Sequence, residues 1–264
     1  MKYPNTLAQA HKRLLIQIIE TFSQDHRILG IGASGSYASD TMDKFSDLDL
    51  VIAIDPIFFA EVMRERFQLI DKVDGKIAAF TGEHVGEPRL VIALYEPDLV
   101  HVDFKFVSLP DTTTRVDDTK VLWERDGQLS TIYNNSNYQY PQPDIQWIEN
   151  RFWIWIHYGA TKIARGEYFE AIEFLSFLRT TALSPLALKQ QGLTPSGVRT
   201  IEKRLPAFTS RLKETVATPD REALIPAFQM CISLYIELRD KEQVTVNAQA
   251  QKLALEYFNQ EILG

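Results

Sequence analysis

The chain has 264 residues, of which 45% are hydrophobic and 24% charged, and its formal net charge is −7. That balance describes a globular chain with room for one large core or two small ones. The acidic charge argues against a generic binder of phosphate backbones, which needs clustered Lys and Arg, and the single cysteine, Cys231, excludes internal disulfides and Cys-rich metal centres.

The opening stretch "MKYPNTLAQAHKRLLIQIIE" has no long apolar core and no small-residue cleavage site, so it reads as an amphipathic helix and not as a signal peptide. Leu7, Leu14, Leu15, Ile18 and Ile19 recur there at helical spacing. A short apolar run, "RILGIG", leads into a small-residue turn, and "LDLVIAI" follows as a strand. Pro56 is placed for the first turn of a helix in "PIFFAEVMRERFQLI". "KIAAF" is a further strand candidate, and "RLVIALYEPDLVHVDFKFV" reads as a hairpin around Glu96-Pro97-Asp98. Residues 110–143 are rich in Thr, Asp, Asn, Gln and Pro and read as loop, broken by the short apolar piece "KVLWERDG". From Asp144 onward the apolar residues recur at helical periods and no strand is expected. The run "FWIWIHYGA" is too short to span a bilayer, so no membrane association is expected and a cytoplasmic location follows. The fold class is α+β: a half with a central mixed sheet, then a helical bundle.

The stretch Gly30–Asp55 poses the functional question. It holds a Gly-x-Gly-x-x-Gly at Gly30, Gly32 and Gly35, and an acid, Asp55, 20 positions after Gly35. A dinucleotide fold would need a full helix between the glycines and the next strand. "SYASDTMDKFSD" is too short and polar for that, with only Tyr37, Met42 and Phe45 as large apolar residues. No Gly-Lys-Ser/Thr follows, which excludes a Walker loop. An EF-hand from Asp43 fails because Leu48 and Ile54 stand where Gly and Glu belong. Asp55 becomes a cap before Pro56.

The aspartates carry a different chemistry. Residues i and i+2 of a strand share a face, so Asp47 and Asp49 project together while Leu48, Leu50, Ile52 and Ile54 face a core. Adjacent carboxylates repel unless a cation lies between them, and hard divalent cations take such oxygen ligands. In "LVHVDFKFV" the same alternation puts His101, Asp103 and Lys105 opposite four apolar residues. An exposed polar strand face is the competing reading of Asp103.

Gly35-Ser36, ten residues, Asp47-Leu48-Asp49, then Asp103: this constellation resembles the nucleotidyltransferase superfamily related to DNA polymerase β. The form "SDLDL", with the helical "HYGATKIARGEYFEAIEFLSFLR", looks most like the antibiotic-modifying branch of aminoglycoside and lincosamide adenylyltransferases. The resemblance implies a catalytic domain over residues 1–135 and a helical domain over 136–264 that closes on substrate and nucleotide, with the active site between them. It implies that Gly35 and Ser36 hold the phosphates of ATP or another NTP, with Ser46 adding a polar contact. It implies that Asp47, Asp49 and Asp103 bind one or two Mg²⁺, Asp103 acting as metal ligand or as general base. The reaction would move a nucleoside monophosphate to a hydroxyl of a small and in some cases cationic acceptor, with antibiotic resistance as the associated role. Nucleic acid is not an expected partner.

In the helical half, Lys162 is the candidate cation for the triphosphate, set against a solvated lysine at a helix end. Glu167, Glu170 and Glu173 fall near one helix face and suit either a cationic acceptor or solvent. Trp147, Trp153 and Trp155 are read as core, one of them lining a cleft. Transfer to a protein or RNA is an alternative activity. Another is ribonuclease chemistry of the HEPN type, since Arg151 and His157 have five residues between them, although Phe152 stands where that family has a polar residue. His84 and His101 have no partner legible in the sequence.

Overall fold

The computed structural model describes residues 3–263. The chain divides into two compact units, with the boundary between Tyr140 and Pro141. The first unit begins with α1 (Gln9–Ser23) and β1 (Ile28–Ala33), then a one-turn helix α2 (Gly35–Ala38) and β2 (Leu48–Ile54). It continues through α3 (Phe59–Ile70), β3 (Lys76–Gly82), β4 (Glu87–Tyr95), β5 (Val100–Ser108), β6 (Lys120–Glu124) and α4 (Gln128–Asn134). Among the described residues the strands form one six-stranded sheet in the order β3-β4-β5-β2-β1-β6.

The pairing decides which side chains meet. β1 and β2 run antiparallel, as do β1 and β6, β3 and β4, and β4 and β5, whereas β2 and β5 are parallel. A dinucleotide-binding unit would need β1 and β2 parallel with a long helix between them. Here they are antiparallel and α2 has four residues. Strand alternation then sorts the faces. Leu48, Leu50, Ile52 and Ile54 of β2 and Val102, Phe104 and Phe106 of β5 enter one core with Leu15, Ile18 and Phe22 of α1 and Val62 and Ile70 of α3. Phe22 stacks on Phe104 with ring centroids 5.6 Å apart. On the opposite face Ala53 packs with Leu29, Leu109 and Leu129. Asp49, four residues before Ala53, projects from that second face.

The loop expected over 110–143 contains more order than its composition suggests. β6 is five residues long and α4 seven. β6 falls on the apolar piece "KVLWERDG", whereas α4 spans too few periods to show in a polar background. β6 is held by pairing with β1, and α4 by burying Leu129 against Gly30, where an added Cβ would lie 2.8 Å from Leu129 Cδ2. Asp55 is the expected cap: its Oδ1 accepts from Ile57 N–H in a 3₁₀ turn over Pro56–Phe58, ahead of α3.

The second unit is helical, with α5 (Ile145–Ala164), α6 (Tyr168–Leu178), α7 (Ser184–Gln190), α8 (Ile201–Arg204), α9 (Pro206–Leu212), α10 (Arg221–Arg239) and α11 (Ala248–Phe258). Asp144 and Asp220 cap α5 and α10 by accepting from Trp147 and Ala223 N–H. Pro185 lacks an N–H, and a π turn over Arg179–Leu183 lies between α6 and α7. The stretch Tyr168–Gln190 has the length and hydropathy of a candidate membrane span, and 56% of its most apolar 18-residue window is buried inside the protein. Phe152 stacks on Tyr235 with centroids 3.6 Å apart. Beside them lies a buried polar knot. Glu149 accepts from Trp153 Nε1 at 3.1 Å, Tyr235 OH at 2.6 Å and Asn247 N–H at 3.1 Å, with Arg239 Nη1 3.8 Å away.

Candidate active site

The first unit builds an acidic cluster at one end of the parallel β2/β5 pair. Asp49 is in register with Asp103, because parallel strands bring equal rows side by side. Asp47 immediately precedes β2, two residues from Asp49 and so toward the same face. One carboxylate oxygen from each of Asp47, Asp49 and Asp103 lies within 4.8 Å of the others, and all three residues are half-buried. Two ionised carboxylates at that separation repel by on the order of 3 kcal/mol at an effective dielectric near 20. The donor set is three hard oxygens, which fits Mg²⁺.

The Gly35-Ser36 turn packs directly on this cluster. Ser34 N–H donates to the Asp49 carbonyl at 3.0 Å, tying the end of β1 to the start of β2. Gly35 has φ +58°, the left-handed region, and a Cβ built there would come 2.3 Å from Asp49 Oδ2. Glycine is therefore required twice over, for conformation and for space. The Ser36 Oγ is buried and makes no hydrogen bond with the described residues. A buried hydroxyl without a partner calls for one, and a phosphate oxygen would supply it.

The other expected site residues have different surroundings. Ser46 belongs to a tight turn: its Oγ accepts from Asp43 N–H at 2.9 Å and lies 3.3 Å from Asp43 Oδ1. Its contribution runs through the backbone, since the Ser46 carbonyl accepts from His11 Nε2 at 2.7 Å. His11 is buried on α1 and pins the residue just before Asp47. Nothing in the periodicity of α1 distinguishes His11 from its apolar neighbours. Lys162 lies in the helical unit, where its Nζ is 2.7 Å from Glu167 Oε2 and 3.0 Å from Glu170 Oε1. Those hydrogen bonds raise the Lys162 pKa, Glu167 contributing most. Glu167 and Glu170, two of the three acids considered for a cationic acceptor, thus converge on this lysine.

The remaining candidates can be placed as well. Trp153 is core, whereas Trp147 is exposed and meets Trp155 edge-on at 5.6 Å. Arg151 donates to the Trp147 carbonyl and lies over that ring, while His157 packs against Tyr257 at 4.4 Å. The two residues of the ribonuclease-like spacing therefore engage different neighbours. His101 has a partner that the sequence did not reveal: its Nε2 lies 2.8 Å from Asp103 Oδ1.

Residues 15–104 match the model of the nucleotidyltransferase domain family, a span that includes Gly35, Ser36, Asp47, Asp49 and Asp103. Among solved structures, an aminoglycoside 6-adenyltransferase from Bacillus subtilis is similar at 16% identity over 94% of this chain and 97% of that chain, with a TM-score of 0.42. A nucleotidyltransferase-like protein from Exiguobacterium sibiricum is similar at 13% identity over 95% and 80% of the two chains, with a TM-score of 0.40. No curated protein matches.

Proposed function

We propose that this chain, which carries a nucleotidyltransferase domain over residues 15–104, transfers a nucleoside monophosphate from an NTP, ATP in our reading, to a hydroxyl of a small molecule. The observation that carries the proposal is the meeting of Asp47, Asp49 and Asp103 against the Gly35-Ser36 turn, all within the matched span. Gly35 lets the backbone approach the nucleotide's β- and γ-phosphates, and the Ser36 hydroxyl donates to one of their oxygens. The three carboxylates would hold one or two Mg²⁺. When bound, that ion neutralises phosphate charge and stabilises the attacking and leaving oxygens of an in-line displacement. The acceptor hydroxyl attacks the α-phosphorus, its proton leaves to a base, and the bond to pyrophosphate breaks. Asp103 is either the base or a third ligand. Everything else the site contributes is positioning and charge.

We place the acceptor among hydroxyl-bearing small molecules. Aminoglycosides and lincosamides are the first to assay, because "SDLDL" resembles the enzymes that modify them. The single cysteine, Cys231, is a buried free thiol, in keeping with our assignment to the cytoplasm. The test is pyrophosphate release from ATP and Mg²⁺ in the presence of a panel of acceptors. Asp49→Asn should abolish release while leaving the far-UV CD spectrum and the melting temperature in place. Full turnover by that variant would remove the carboxylates from the mechanism.

A further inference from the structure

His101 stands on the site face of β5, two residues before Asp103, and its Nε2 is 2.8 Å from Asp103 Oδ1. An ionised carboxylate only accepts, so the imidazole N–H donates. We propose that His101 is a positioning residue that fixes the orientation of the Asp103 carboxylate toward the cation held by the three acids. The inference rests on the reading of those acids as a cation site.

Three observations support it. The backbone under the pair is rigid, because β5 is paired with β2 on one side and β4 on the other. The carboxylate torsion of an aspartate is otherwise soft. A donor reaching from i to i+2 on a strand face restricts that torsion. Second, the side chain of His101 is 49% exposed, so burial does not account for its place. Third, Lys105, the next residue along that face, makes its ion pair with Glu87 at 3.2 Å. The His101 imidazole N–H is the donor set beside Asp103. Partners that orient a metal ligand by hydrogen bonding typically change cation affinity about 10- to 100-fold when removed.

The experiment measures Mn²⁺ binding to the full chain without nucleotide, by the EPR signal of the unbound ion and by calorimetry. His101→Ala should raise the Mn²⁺ Kd by about tenfold or more, with no change in the unfolding midpoint. In His101→Gln the amide N–H takes over the donation, and affinity should stay close to that of the unsubstituted protein. Asp103→Asn is the control for the premise. If Asp103→Asn weakens Mn²⁺ binding but His101→Ala does not, the positioning role is overturned and the cation site stands. Equal losses in His101→Ala and His101→Gln also overturn it, because donation is then not the operative property. If Asp103→Asn binds like the unsubstituted protein, the premise falls, and the inference with it.

Discussion

Replacing Gly35 by alanine separates stability from catalysis. The backbone at Gly35 has φ +58°, a conformation that costs a residue with a Cβ about 1–2 kcal/mol. In a protein of this size 1 kcal/mol moves the melting temperature by about 2–4 °C, so Gly35→Ala should melt about 2–8 °C lower and remain folded. The larger effect falls on the site. The new Cβ would stand 2.3 Å from Asp49 Oδ2, whereas ordinary contact begins at 3.4 Å. The oxygen must therefore retreat by about 1 Å, and displacements of that size cost about 10²-fold in rate, or about 2.7 kcal/mol of transition-state stabilisation. Because the obstructing atom is the end of a side chain, the fold can give way there and the carboxylate cannot stay in place. Pyrophosphate release under saturating ATP, Mn²⁺ affinity by EPR, and a thermal melt read the three quantities. A variant that melts lower yet keeps the original turnover and Mn²⁺ affinity would refute the placement of Asp49 at the centre of the chemistry.

Two further expectations concern stability. In the helical unit, Glu149→Ala leaves Trp153 Nε1, Tyr235 OH and Asn247 N–H without their acceptor and takes a carboxylate from the buried Arg239. Breaking a buried pair in this way costs about 3–5 kcal/mol, and urea denaturation should show it; a change below about 1 kcal/mol would mean the knot is solvated. In the first unit, the Arg89 hydrogen bond, with help from Lys105, pulls the Glu87 carboxyl from 4.5 down to about 2. A depressed folded-state pKa adds stability that is present above pH 4.5 and lost as pH falls toward 2. Glu87→Gln should therefore lower stability at neutral pH, on the order of 1 kcal/mol after solvent screening. The two proteins should converge toward pH 2, and a gap that stays constant with pH would show the ionisation to be irrelevant.

The helical unit also constrains how Lys162 can serve a nucleotide. Its ammonium is engaged by Glu167 and Glu170, so phosphate binding there would have to exchange carboxylate partners for phosphate oxygens. Conversely, an acceptor ammonium would meet these two acids already paired with a lysine.

What the sequence determined by itself is local. A period of two placed Asp47 and Asp49 on one face and the leucines and isoleucines of β2 in the core. Pro56 and Asp55 announced the start of a helix. The shortness of the segment before β2 was enough to set aside a dinucleotide fold, because a helix covering a sheet needs several turns. These features survive folding because backbone geometry within a few residues enforces them. Tertiary structure decided the rest. The parallel pairing of β2 with β5 sets Asp103 in register with Asp49 across 53 intervening positions of chain, and nothing in either strand states its partner or its offset. β6 and α4 exist because β1 offers an edge and Gly30 a surface without a Cβ. Ser46 acquired its meaning from His11, 35 positions away on α1, whose Nε2 donates to its carbonyl. Sequence periodicity gives the direction in which a side chain leaves the backbone. Which group it meets there depends on pairing between distant segments, and that pairing turned three scattered acids and a glycine turn into one site.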